Sequence, residues 1–180
     1  AVQRVEPYIW VDGDWRGVGE TGGVSVFVSG IDPGANGLMF SKALPASLRA
    51  RLVEPDAVVV DRSALDQLGV DIGQTATING HPVRVVGISS GLRALGGVDV
   101  LCSLDTARRL NDDPTDNGPT YLVAKLRDPS KAEAVAARLR GATAFGPYTT
   151  WSADDFARLS VLYWLFDTGA GAGVLFLAGI

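Results

Sequence analysis

Histidine, cysteine and methionine are nearly absent: His81, Cys102 and Met39 are the single representatives of their types in 180 residues. One histidine and one cysteine cannot build the ligand sets that zinc needs. A lone cysteine also rules out an internal disulfide, while leaving an exported location open. Basic clusters are missing as well. Sixteen Lys and Arg stand against twenty Asp and Glu, for a formal net charge of −4, which argues against nucleic acid as a partner. No G-x-x-x-x-G-K-[ST] occurs, so any nucleotide must be handled by another chain. There is no starting Met and no basic n-region, hence no visible signal peptide. The chain begins at Ala1 in what already reads as folded sequence, and it looks like a piece of a longer protein, open at both ends.

What is present is a globular composition, 47% hydrophobic with mixed charges, and one long apolar run at the end, Val161 to Ile180, VLYWLFDTGAGAGVLFLAGI. Its only charge is Asp167. About twenty apolar residues suffice for a helix to cross a bilayer. Tyr163 and Trp164 lie near its start, where aromatic side chains favour the membrane–water boundary. Gly169 and Gly173 form a G-x-x-x-G pair that lets a second helix approach closely. The competing reading is a buried C-terminal helix of a soluble protein, which the glycines would weaken by about 1 kcal/mol each.

Upstream, the punctuation is local and frequent. Val2 to Val11 reads as a strand with Pro7 at an edge or bulge, Asp12-Gly13-Asp14 as a turn, and Arg16 to Gly23 as a Gly-rich loop. Val24 to Ser29 alternates as a strand should. Leu44, Leu48 and Leu52 mark a short helix. Ala57 to Val60 is an apolar strand, followed by a helix capped by Asp61 and stopped by Gly69. Thr75 to Ile78 and Val83 to Ile88 flank Asn79-Gly80, a strong hairpin signal. Val98 to Cys102 is a strand and Ser103 caps the next helix. Asn111 to Pro119 is a polar loop and Thr120 to Leu126 a strand. Asp128 caps a helix with Pro129 in its first turn, whose inner face is Ala132, Val135, Ala136 and Leu139. Thr143 to Thr150 returns as a strand. Ser152 and Asp155 form an S-x-x-D cap for a helix running into the apolar tail. The matching offsets of Asp61, Leu65, Leu68 and of Ser103, Ala107, Leu110 fit a two-turn helix better than an internal repeat.

Chemistry is scarce. His81 follows the hairpin turn and reads as a solvent-facing residue. Cys102 reads as a small buried apolar side chain. Gly17-x-Gly19-x-x-Gly22 has dinucleotide-loop letters without a surrounding βα unit. Asp113, Thr115, Asn117 and Gly118 echo a calcium loop, but Ala124 stands where the bidentate Glu belongs. No nucleophile–base–orienter set emerges, so no catalytic residue, metal or cofactor is expected.

The stretch AVVVDRSALDQLGVDIGQTATINGHPVRVVGI, with Gly69 and Gly73 at a G-x-x-x-G turn and Val85 to Ile88 as a V-V-G-I strand, resembles the central part of MacB/FtsX-type ABC-transporter permease domains. PTYLVAKLRDPSKAEAVAARLR resembles the strand–helix that closes that domain before the second membrane helix. Glu6-Pro7-Tyr8, Asp32-Pro33, Asp61-Arg62 and Tyr163-Trp164 are similar to the DevC-like branch, although Gly169 follows Thr168 where that branch tends to have proline. The resemblance spans nearly the whole chain. It implies an α+β, two-lobed periplasmic domain: an α/β lobe from 1–54 plus 112–150, an inserted β-rich lobe from 55–111, and 151–180 as a juxtamembrane helix beginning a transmembrane helix. It further implies a non-catalytic mechanotransmission role at the cell inner membrane, on the periplasmic side. The implied partners are an ABC ATPase subunit, a second permease copy, and a periplasmic adaptor (membrane fusion protein). The other readings are a membrane-anchored binding module without a transport role and a small exported enzyme.

Overall fold

The computed structural model describes residues 2–19, 22–92, 99–111, 118–142 and 149–166. Contacts divide the chain into two compact units, residues 4–125 and residues 1–3 with 126–180.

The larger unit is built around one mixed sheet. Its strands are β1 (Val2–Gly17), β2 (Val24–Ile31), β3 (Ala57–Asp61), β4 (Thr75–Ile78), β5 (His81–Ser89), β6 (Val100–Ser103) and β7 (Tyr121–Leu126), in the order β2-β6-β3-β5-β4-β1-β7. β1 also pairs with β2, from Ile9↔Gly30 to Trp15↔Val24. Six strands therefore close into a ring, with β7 appended beside β1. Around that ring β2–β6 and β3–β5 are parallel, and β6–β3, β5–β4 and β4–β1 are antiparallel.

Closure explains why β3 is apolar without alternation. Val58 and Val60 enter one core cluster with Trp15, Val28, Ile78 and Val100, while Ala57 and Val59 enter a second with Ile31, Leu44, Leu52 and Leu101. A strand covered on both faces reads as a continuous apolar run. α1 (Ala46–Arg51) is shorter than the leucine spacing suggests. Pro45 precedes it, and a residue before proline is pushed out of the helical region. Leu44 and Leu52 are nonetheless buried, so the expected stripe is correct even though the helix is not as long.

Local signals act where they were read. Asp61 accepts from the Ser63 backbone N–H and starts a 3₁₀ turn leading into α2 (Leu65–Leu68), which Gly69 ends in the left-handed conformation. Asn79 and Gly80 both have positive φ, 50° and 78°, the geometry of a type I′ hairpin turn. Ser103 caps α3 (Leu104–Leu110) through the Thr106 N–H. Asp128 caps the 3₁₀ turn Pro129–Lys131, which continues as α4 (Ala132–Arg140).

Asp12-Gly13-Asp14 is not a turn. It lies mid-strand in β1, opposite Phe27, Val26 and Ser25 of β2. Trp15, 1% exposed, anchors this part of β1 and donates from its indole N–H to the Leu68 carbonyl at 3.1 Å. The Asn79 amide bonds the Asp14 N–H and the Asp12 and Leu110 carbonyls, strapping the hairpin to β1 and α3. Tertiary pairing overrides the turn preference of the three residues.

The two expected lobes share this sheet: β2 pairs β6 and β1 pairs β4, across the boundary at residue 55. The expected strand Thr143 to Thr150 falls largely outside the described residues, and residues 149 and 150 are not in a strand. Of the calcium-like loop, Asp113, Thr115 and Asn117 also lie outside them, whereas Gly118 is described and Ala124 lies in β7.

Candidate functional site

In the smaller unit, α5 (Ala153–Phe166) is the element nearest the candidate residues. Its start is the one read from the sequence: Ser152 Oγ accepts from the Asp155 N–H at 3.1 Å, and the Ser152 carbonyl accepts from the Phe156 N–H at 2.9 Å. Trp151 precedes the cap and Phe156 is the fourth helical residue, the positions of a hydrophobic staple.

From its first turn onward the described side chains of α5 carry little buried surface. Phe156, Leu159, Leu162 and Tyr163 are all more than 40% exposed. At 100° per residue they fall within one arc of about 120°, with Asp154 on the far side and Arg158 beside Leu162, one turn away. Tyr163 is the most exposed of them, at 57%. Trp164 follows on the same helix, and Gly169 and Gly173 lie outside the described residues. Among the described residues no helix is long and apolar enough to cross a membrane.

Sequence reading overlooked the residues that hold α5 at its base. Arg140, the last residue of α4, donates to Glu133 Oε1 at 2.9 Å, and its guanidinium carbon lies 5.5 Å from the centre of the Trp151 ring. A hydrogen bond with the Glu133 side chain, then one with Ser152, holds the Asp155 carboxyl below its ordinary range. The available signal was the Trp151/Phe156 staple around the Ser152 cap.

In the larger unit, three short motifs quoted in the resemblance have structural partners. Glu6, 3% exposed, meets Arg4 Nε at 2.6 Å and accepts from the Leu38 N–H at 2.7 Å. Arg4 also reaches Asp32 Oδ2 at 2.5 Å. Arg49, buried beneath the 32–39 segment, donates to the Asp32 and Met39 carbonyls. Burial lowers the Arg49 pKa against the opposing pull of Glu6 and Asp32. Tyr8 shares a 2.6 Å hydrogen bond with Ser29, and burial pushes its phenol up to about 12. Asp61 Oδ2 accepts from the Leu92 N–H at 2.7 Å. These charges brace loops against the sheet.

An open cleft of about 310 Å³ is lined by Val18, Gly69, Val70, Gly73, Gln74 and Thr75. It holds no ionisable group. His81 is exposed on the hairpin, and Cys102 is fully buried, with its thiol pushed up by that burial. The element that follows Gly17 and Gly19 among the described residues is strand β2, not a helix. Among the described residues no three His, Cys, Asp or Glu side chains are placed to hold a metal.

The family described as MacB-like periplasmic core domain matches residues 2–142. A search of curated proteins found no match. Among solved structures, the extracellular domain of the noncanonic ABC-type transporter YknZ from Gram-positive bacteria is 14% identical. It has a TM-score of 0.56 over 84% of this chain and 79% of that one. The periplasmic region of MacB from Actinobacillus actinomycetemcomitans is also 14% identical, with a TM-score of 0.56 over 88% and 75%. At such identities the likeness is one of fold.

Proposed function

From the premise that the chain belongs to the MacB-like periplasmic core domain family, we propose that it is a non-catalytic mechanical element of an ABC-type export permease. It is the extracytoplasmic domain of such a transporter permease. In the proposed cycle an ATPase subunit hydrolyses ATP on the other side of the membrane and moves the membrane helices. This domain, working as one of two permease copies, passes the motion to a periplasmic adaptor or to substrate.

The observation that carries the reading is the extent of the family match, residues 2–142, which runs from β1 to just past α4. Helix α5 then continues beyond it with its apolar side chains exposed. We assign 151–180 to a juxtamembrane helix and the beginning of a transmembrane helix. Tyr163 and Trp164 sit at the interface in this scheme, and Gly169 and Gly173 pack against another helix. In the same scheme 55–111 is the inserted β-rich part and 1–54 with 112–150 the flanking α/β part, in an inner-membrane protein facing the periplasm.

The test is purification of the intact permease from membranes in mild detergent. An ATPase subunit is expected in equal amount, with ATP hydrolysis by the complex and neither ATP binding nor hydrolysis by the 180-residue chain alone. An intact membrane protein that carries no ATPase would refute the transporter role and favour a membrane-anchored binding module. Measurable ATP affinity of the isolated chain would count against both.

A further inference from the structure

We propose that Arg140 is a positioning residue that clamps the first turn of α5 to the end of α4, so that the two helices move as one lever. Three observations meet there. Arg140 bridges Glu133, one face of α4, and the ring of Trp151, the residue before the α5 cap. Ser152 is buried, and its hydroxyl and carbonyl oxygens fix the next turn through the Asp155 and Phe156 N–H groups. Beyond Ser152, none of the described side chains of α5 is buried. The contacts at its base therefore contribute to its direction. The staple residue Trp151 determines how the chain approaches the cap, and Arg140 determines where Trp151 sits.

Arginine suits this task and lysine does not. A planar guanidinium can stack on an aromatic face while an edge N–H bonds a carboxylate, whereas an ammonium is a point charge on a flexible stem. The ion pair is partly exposed, with Glu133 62% exposed at its side chain, and such pairs contribute little alone. The clamp therefore depends on the ring contact and the pair acting together, and its expected effect is on direction more than on stability. The inference goes beyond the transporter reading and holds for the isolated chain whether or not that reading does.

The test uses the full chain, with Cys102→Ala as background and spin labels at two exposed positions, Ala137 on α4 and Ala157 on α5. Pulsed EPR should give one narrow distance distribution in the parent. In Arg140→Ala and in Trp151→Ala, the fraction outside the main peak should rise about two- to fivefold, the factor that loss of an exposed cation–π contact supplies. Arg140→Lys should broaden it nearly as much. The double variant should be no broader than either single one, and Arg138→Ala on the same helix should leave it unchanged. Thermal melts matching the parent confirm that the variants are folded. A broad distribution in the parent, or unchanged distributions in both alanine variants, overturns the clamp.

Discussion

Replacing Gly30 with alanine tests how closely α3 is seated on the sheet. A methyl at residue 30 would lie 2.4 Å from Ala107 Cβ and 3.3 Å from Ile9 Cβ. Carbon atoms in good contact sit about 3.5–4.0 Å apart, so α3 or β2 must move by more than an ångström. Neither Cβ can rotate away, because both are fixed to backbone. Overpacking of this kind costs about 1–3 kcal/mol, and the rigidity of both partners puts Gly30→Ala near the upper end. Ala107→Gly alone should cost about 2 kcal/mol, from the helix penalty of glycine and the lost burial of one methyl. The two changes together remove the clash, because the methyl at 30 occupies the space vacated at 107. The double variant should then be no less stable than Ala107→Gly by more than about 1 kcal/mol, the residual strain at Ile9. The coupling between the sites would be about 2 kcal/mol, within the range for residues in contact. Urea unfolding followed by the fluorescence of buried Trp15, with unchanged m-values, measures all three. A neutral Gly30→Ala, or costs that simply add, refutes the close packing of α3 on β2.

Gly80→Val should lower stability by about 1–2 kcal/mol, because residue 80 stays at φ 78° and a side chain there strains the backbone. No heavy atom lies within 4 Å of the added Cβ, so Gly80→Asn should cost less, and equal melting temperatures for Val and Gly would refute the turn. Burial holds Tyr8 at about 12 against its ordinary 10. The neutral phenol is therefore favoured in the folded chain, and its contribution of roughly 2–3 kcal/mol is complete below pH 10 and lost as pH rises through 12. Urea midpoints in that window should fall in the parent and fall less in Tyr8→Phe. Cys102, 0% exposed, should react with a thiol reagent only as fast as the chain unfolds, and rapid native-state labelling would refute its burial. Truncation after Thr150 should abolish liposome binding of the full chain. A full chain that ignores vesicles, stays monomeric and melts higher than the truncated one would instead make the tail a core helix.

Some of this protein was legible from residues alone, because the decisive interactions close within a few positions. Asn79-Gly80 turns a hairpin, Asp61, Ser103, Asp128 and Ser152 each accept an N–H two or three residues on, and Gly69 ends a helix. What joins residues far apart in the chain had no such local trace. The pairing of β1 with both β2 and β4 turned Asp12-Gly13-Asp14 into strand. The ring closure brought β2 beside β6 across more than seventy residues. Glu6 and Asp32 became partners through Arg4. Arg140 found Trp151 only when α4 and α5 came together. Local hydrogen bonds are encoded in composition and spacing. Sheet closure and ion networks depend on which distant surfaces bury each other, which a periodicity of two or 3.6 residues does not specify.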